Sequence, residues 1–176
     1  KVNACDLVFL ALPHGESAAL IAQLDPNLKV IDLGADFRLT SAEKWAQYYG
    51  GTHAGTWTYG LPELPGQREV IAKSTRVANP GCYATSISLA IAPALELIDI
   101  KDIVVVAASG TTGAGRSAKV NLLGSEVMGS LSSYKFGGVH QHTPEIEEAL
   151  SRTAGSDVKI SFTPILAPMP RGILST

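Results

Sequence analysis

Charge is what this sequence has least of. Only 17% of its 176 residues are charged, 14 Lys and Arg against 16 Asp and Glu, and the net charge of −2 comes with no long run of either sign. A nucleic-acid surface needs a basic patch or stripe, so that class of partner finds no support. Cysteine is nearly absent. Cys5 and Cys82 show neither metal-site spacing nor a disulfide framework. That usage fits a reducing compartment, with the cytoplasm as the expected location. Long apolar runs are missing too: residues 103–108 have strand length, and residues 83–97 are broken by Pro93. Neither reaches a membrane span, so no membrane partner is expected. An opening Met and anything resembling a signal peptide are also lacking.

Apolar residues, by contrast, make up 45% of the chain, enough for a substantial core in one large domain or parts of two. Residues 6–12 are continuously apolar and read as a buried strand, and Cys5, inside the strand-like run 4–10, reads as a buried structural residue. Helical spacing follows over 16–24, a second strand over 28–33, and a short helix from Ser41 to about Tyr49. This strand–helix–strand–helix order suggests the later half of a parallel nucleotide-binding sheet. Residues 50–70, rich in Gly and Pro, read as a long ordered loop, and 76–78 as a short strand. A helical run covers 83–97, and a Val-rich strand covers 102–108. Gly, Ser and Thr then dominate to about Gly138. Thr143 is placed to cap a helix whose first residue is Pro144, with Glu145, Glu147 and Glu148 in its first turns. Residues 158–168 read as another strand. The domain boundary falls near Cys82, giving domains 1–81 and 82–176.

The stretch NPGCYAT at 79–85 carries the most chemistry. The turn Asn79-Pro80-Gly81 delivers Cys82 to the start of a helix. Unpaired N–H groups and the positive end of the dipole favour an anion there, and a thiolate is the form that attacks carbonyls. The alternative is a small buried cysteine. His140 and His142 are two apart, a spacing that puts both on one side of an extended segment. Either ring could serve as a proton shuttle beside a thiolate. With Glu145 they could instead ligate a metal, or they are surface histidines in a loop. The loop SGTTGAGR at 109–116 follows a strand and has glycines that let a backbone approach a phosphate closely, without being the usual dinucleotide fingerprint. A flexible connector is the alternative. Leu12-Pro13-His14-Gly15 follows a strand end, the ligand edge of an open parallel sheet, or is a plain turn. Arg116 and Arg171 suit a bidentate grip on an anion, or are surface arginines. Asp32, Asp36 and Arg38 read as stabilisers of the loop after their strand.

NPGCYAT resembles the active-site signature of the N-acetyl-gamma-glutamyl-phosphate reductase family. LPHG at 12–15, DLGADFR at 32–38, YGLPEL at 59–64, SGTTGAGR at 109–116, HQHTPEI at 140–146 and PMPRGI at 168–173 fit that family in the same order. The resemblance covers nearly the whole chain. It implies an α/β fold: the later half of a Rossmann-like parallel-sheet nucleotide-binding domain, then part of an α+β catalytic and dimerisation domain. The family's Gly-rich nucleotide loop would lie before Lys1 and a further stretch after Thr176, so an internal fragment is expected, one inactive alone.

The resemblance also implies a reaction, the NADPH-dependent reduction of N-acetyl-glutamyl 5-phosphate through a thioester on Cys82, in arginine biosynthesis. His142 would be the acid/base, with His140 and Glu145 supporting it. Pro13, His14, Ser109, Gly110, Gly113 and Gly115 would meet NADP(H). Asn79, Arg116 and Arg171 would bind the small acyl-phosphate substrate. No metal is expected, and the complete enzyme would be a homo-oligomer. Aspartate-semialdehyde dehydrogenases share this chemistry, but their motif normally has Asn before the cysteine and small hydroxyl residues after it. Gly81 and Tyr83 argue against them here. An aminoadipyl-phosphate reductase and a non-catalytic fragment stay open.

Overall fold

The computed structural model describes residues 1–115 and 117–176, which form two compact units, Lys1–Gly81 and Cys82–Thr176.

In the first unit a short 3-10 turn precedes β1 (Leu7–Leu10), followed by α1 (Ser17–Ile21), β2 (Lys29–Asp32), α2 (Ala42–Tyr48), β3 (Thr58–Tyr59), α3 (Gln67–Lys73) and β4 (Arg76–Ala78). The four strands are all parallel, in the order β1-β2-β4-β3. β2 is central. Its Val30 packs with Leu10 and Leu28, and Leu20, Ile21 and Leu24 close over them. Ser41 caps α2 by accepting from the Lys44 N–H at 3.1 Å. Ala35, Leu39 and Trp45 form a second small core.

Three expectations are corrected here. β1 is not fully buried: among the described residues it pairs with β2 alone, and alternation leaves Leu7 and Phe9 exposed. Cys5 is not in a strand and is exposed; it closes the 3-10 turn ahead of β1. Residues 50–70 are not all loop, because they hold β3 and the start of α3. α3 buries none of its residues, so it has no apolar stripe for a periodicity argument to find.

The second unit contains α4 (Cys82–Ile91), β5 (Ile103–Ser109), α5 (Gly124–Val127), β6 (Ser132–Ser133), α6 (His142–Ala154), β7 (Ile160–Leu166) and β8 (Ile173–Ser175). Its mixed sheet has the order β6-β7-β5-β8: β5 and β7 are parallel, and the two outer strands are antiparallel to their neighbours. Tyr83, Ala84 and Ile87 from α4 meet Ile146 and Leu150 from α6 over Val105, Ala107 and Phe162 of the sheet. α4 is shorter than the expected 83–97 run. It ends at Ile91, and Pro93 lies in a 3-10 turn, as its missing N–H requires.

α6 starts at His142, not Pro144. Thr143 is inside the helix, and Gln141 is the N-cap without a side-chain cap bond. The ring of His140 takes over that work, its Nδ1 accepting the His142 N–H at 3.0 Å. Gly155, at φ 66°, ends the helix in the left-handed conformation.

Candidate active site

Cys82 is the first residue of α4 and is exposed, so the buried-cysteine alternative fails. Helix geometry puts Thr85 and Ser86 on its face, while Tyr83, Ala84, Ile87 and Ser88 turn into the core. Cys82, Thr85 and Ser86 form one wall of a pocket of about 430 Å³. The loop after β5 supplies the opposite wall through Ser109, Gly110, Thr112 and Gly113, and Gly172 and Ile173 complete it.

The loop wall is held by backbone bonds to the segment after β7. Gly110 N–H donates to Gly172 O at 2.9 Å, Thr111 N–H to Met169 O at 2.9 Å and Thr112 N–H to Pro170 O at 3.2 Å. The Thr112 hydroxyl donates to Pro170 O as well, at 2.6 Å. Gly110 is required for this approach. A Cβ there would stand 2.6–2.8 Å from the Arg171 backbone. Arg171 is therefore carried by a turn beside the pocket, exposed, rather than by a strand. Gly115 has φ 98° and open space where a side chain would stand. Arg116 lies outside the described residues.

His140 and His142 gather on the inner side of α4, around Tyr83, and the charge of Glu145 acts on His140. The Tyr83 ring meets His140 edge-on at 5.4 Å and His142 at 6.0 Å, and the two imidazoles are 4.9 Å apart. Their proximity comes from the turn into α6, not from an extended segment. His140 is 7% exposed and Glu145 1%. Burial, with the charges of His142 and Lys135 added, pushes His140 down to about 3. With Nδ1 accepting, its proton is on Nε2. The hydroxyls of Tyr83 and Tyr134 are 2.9 Å apart, and burial raises both phenols, Tyr134 the more. Among the described residues no three His, Cys, Asp or Glu side chains gather to hold a metal ion.

In the first unit, Pro13 and His14 are exposed on the turn after β1, and Tyr49 holds the His14 ring edge-on at 5.6 Å. Asp36 accepts from Gly15 N–H at 2.6 Å and Ala18 N–H at 3.1 Å. Asp32 accepts from the Ser17 hydroxyl at 2.8 Å and Gly34 N–H at 3.0 Å. Arg38 donates to Leu33 O at 2.9 Å. Asp32 and Arg38 thus hold the loop after their strand, while Asp36 ties that loop to the turn after β1. Asn79, at the end of β4, donates its amide to Pro80 O.

Sequence reasoning missed Thr85, Ser86, Thr112, Tyr83 and Tyr134. The first two follow from helical spacing after Cys82. Nothing around Tyr134 in the sequence marks it.

The sequence pattern of the semialdehyde dehydrogenase dimerisation domain matches residues 82–176, and that of the semialdehyde dehydrogenase NAD binding domain matches residues 1–74. An N-acetyl-gamma-glutamyl-phosphate reductase of Acidothermus cellulolyticus is 68% identical over 173 residues, 97% of this chain and 50% of that protein. The reductase of the same name from Pseudarthrobacter chlorophenolicus is 61% identical over 178 residues, 100% of this chain and 52% of that protein. The chain thus spans about half the length of the curated relatives it matches. Among solved structures, aspartate semialdehyde dehydrogenase II of Vibrio cholerae superposes with a TM-score of 0.67 at 15% identity, covering 99% of this chain and 55% of that one. The Candida albicans aspartate semialdehyde dehydrogenase with NADP gives 0.62 at 12%, over 97% and 49%. At such identities the likeness is one of fold. No helix among the described residues is long and apolar enough to cross a membrane.

Proposed function

The chain belongs to the semialdehyde dehydrogenase family, and from that premise we propose that it is the part of an N-acetyl-gamma-glutamyl-phosphate reductase that carries the nucleophile. The carrying observation is the exposed Cys82 thiol at the start of α4, in a pocket whose other wall is Ser109, Gly110 and Gly113. The Sγ attacks the carbonyl carbon of N-acetyl-glutamyl 5-phosphate, the bond to phosphate breaks, and a thioester remains on Cys82. NADPH, when bound, supplies the hydride that brings the acyl carbon to the aldehyde level. The former carbonyl oxygen would take a proton from a histidine as the hydride arrives and return it as the carbon–sulfur bond breaks, so that the aldehyde leaves and Cys82 is freed as its thiolate.

His142 is the better candidate for that proton transfer. His140 is neutral down to about pH 3, and its Nδ1 is committed to the His142 N–H. His140 and Glu145 act as supports, both buried against the same cluster. The residues fit the cofactor. Pro13 and His14 are exposed at the carboxyl edge of a parallel sheet, and Gly115 leaves open space on the loop after β5. Ser109, Gly110 and Gly113 belong to the same loop. Arg171, Arg116 and Asn79 are assigned to the substrate's anionic ends, the first on the ground that its backbone is fastened beside the pocket.

A second copy of the chain is the proposed partner. Val104 and Val106 alternate with the buried Val105 and Ala107, and Leu174 pairs with Ala108 on the same face. They are 67%, 41% and 69% exposed, an apolar surface suited to self-association. Cys82 must stay reduced to act, which suits the cytoplasm and arginine biosynthesis there.

The test is phosphate-dependent reduction of NADP by the full-length protein with N-acetyl-glutamate semialdehyde, N-acetyl-aminoadipate semialdehyde and aspartate semialdehyde in parallel. The first is expected to turn over best. Cys82→Ser is expected to lower turnover by about a thousandfold or more, because a hydroxyl is a far weaker nucleophile than a thiolate. Retention of a tenth of the activity would remove Cys82 from its role.

A further inference from the structure

In the second unit Lys101 and Lys159 have carboxylate partners: Lys101 lies 3.8 Å from Asp157, and Lys159 lies 3.5 Å from Glu147 and 3.7 Å from Asp157. Lys119 and Lys135 differ. Both are exposed, and among the described residues neither makes an ion pair. They nevertheless stand close together, since loss of solvent, with the charge of Lys119 added, lowers the Lys135 ammonium. Two like charges drawn together without a counter-ion favour an anion beside them. Lys135 is also the one non-glycine residue at positive φ among the described residues, at 45°, a conformation that L side chains rarely adopt. Its side chain is fixed as well, for Nζ donates to Gln141 Oε1 at 2.6 Å. Gln141 is the N-cap of α6 yet makes no side-chain cap bond, so its amide serves the lysine and not the helix. An ammonium has three N–H bonds, and only one of them goes to Gln141.

Its place relative to the nucleophile decides which anion it meets. Tyr83 follows Cys82 in the chain, and its hydroxyl is 2.9 Å from that of Tyr134. The Tyr134 ring faces His140 at 5.8 Å, and Gln141 stands between His140 and His142. The charge of Cys82 acts on both tyrosines, whereas Lys135 responds to Lys119 instead. Lys135 therefore ends this row of side chains and does not stand beside the thiol. A phosphate on the reacting carbon has to lie next to Cys82, where the turn beside the pocket carries Arg171. An anion at the opposite end of a short carbon chain lies farther along the row. We propose that Lys135 binds the α-carboxylate of the acyl-phosphate substrate, leaving its phosphate to Arg171, and so selects molecules with a free carboxylate at the end remote from the reaction. The proposal rests on the reductase reading given above.

The test is kinetics of the full-length protein in the direction of phosphate-dependent NADP reduction. Two aldehydes are compared: N-acetyl-glutamate semialdehyde, and the same compound with its α-carboxylate converted to a primary amide. Wild type is expected to prefer the acid in kcat/KM by about tenfold or more, as one charge-assisted hydrogen bond provides. In Lys135→Met the preference is expected to fall to within about twofold through a higher KM for the acid, while KM for phosphate stays near its wild-type value. Lys135→Arg keeps the charge and is expected to keep most of the preference. Lys135→Gly is the independent variant. Glycine adopts a φ of 45° without strain, so the cation is removed and the turn is left sound. The same loss of preference is expected, and it decides alone if Lys135→Met does not fold. A lysine that only braces the turn through Gln141 would leave the preference intact in Lys135→Gly, which would overturn the proposal. No preference in wild type, or a rise in KM for phosphate in place of the acid, would overturn it too. A wild type that turns over neither aldehyde would instead sink the reductase reading, and the proposal with it.

Discussion

After β1 the chain turns at residues 13–18 and is fastened by side chains: Asp36 takes two backbone N–H groups, and Asp32 takes the Ser17 hydroxyl. After β5 the chain turns at residues 110–113 and is fastened by its backbone, with three N–H groups donating to carbonyls of residues 169–172. Both turns leave the carboxyl end of a strand. The first is encoded by the presence of two buried carboxylates, the second by the absence of a side chain at Gly110. One fastening is therefore vulnerable to removing atoms, and the other to adding them.

That contrast is broken most severely at Gly110. In Gly110→Ala the new Cβ would stand 2.6 Å from Arg171 N and 2.7 Å from its Cα, so backbone has to move. We expect a loss of about 3 kcal/mol in denaturant unfolding, at the upper end of overpacking costs. The pocket wall opens at the same time, so Cys82 alkylation by a bulky reagent is expected to speed up. An unchanged midpoint would mean that the two segments do not pack as closely as described.

Removing atoms tests the other turn. Ser17→Ala takes away a buried donor to Asp32 and is expected to cost about 2 kcal/mol by the same measurement. Thr112→Val, which removes the hydroxyl bond to Pro170, provides the control. It should cost less, because the Thr112 N–H still donates to the same oxygen and the residue is exposed. If Thr112→Val proves the more damaging, the division between side-chain and backbone fastening is wrong.

A further test of the comparison is a pH dependence in the second unit, where a neutral histidine does the work that a carboxylate does in the first. His140 is pushed down to about 3 from 6.5, chiefly by burial. The unfolded chain therefore binds the proton first as pH falls, and stability is full above about pH 6.5 and lost progressively towards pH 3. His140→Gln is expected to flatten that part of the melting-temperature profile. A wild-type profile already flat between pH 6.5 and 4 would show that the ring is not held neutral.

Much of this was legible in the chain. The parallel strands at 7–10, 29–32 and 76–78 were visible as apolar runs between turn residues, and Ser41 announced α2 with its own hydroxyl. Cys82 at a helix start followed from Asn79-Pro80-Gly81 alone. α3 was not legible, because a helix without a buried face has no periodic signature. Nor was the start of α6. Thr143 and Pro144 are the residues that local rules favour, but a ring two positions before the first helical residue accepts the N–H that a cap would take.

The sequence by itself determined most of the elements, the place of Cys82 at the head of α4 and the reductase resemblance, because helix capping, strand hydrophobicity and turn chemistry act over a few residues. Tertiary structure alone decided which groups meet. Tyr83 lies 51 residues from Tyr134, and Gly110 presses on Arg171, yet no local preference links either pair. Their contacts follow from the pairing of β5 with β7 and the packing of α4 and α6 over the same sheet. Burial there, a property of the whole fold, also pushes the His140 imidazole towards its neutral form.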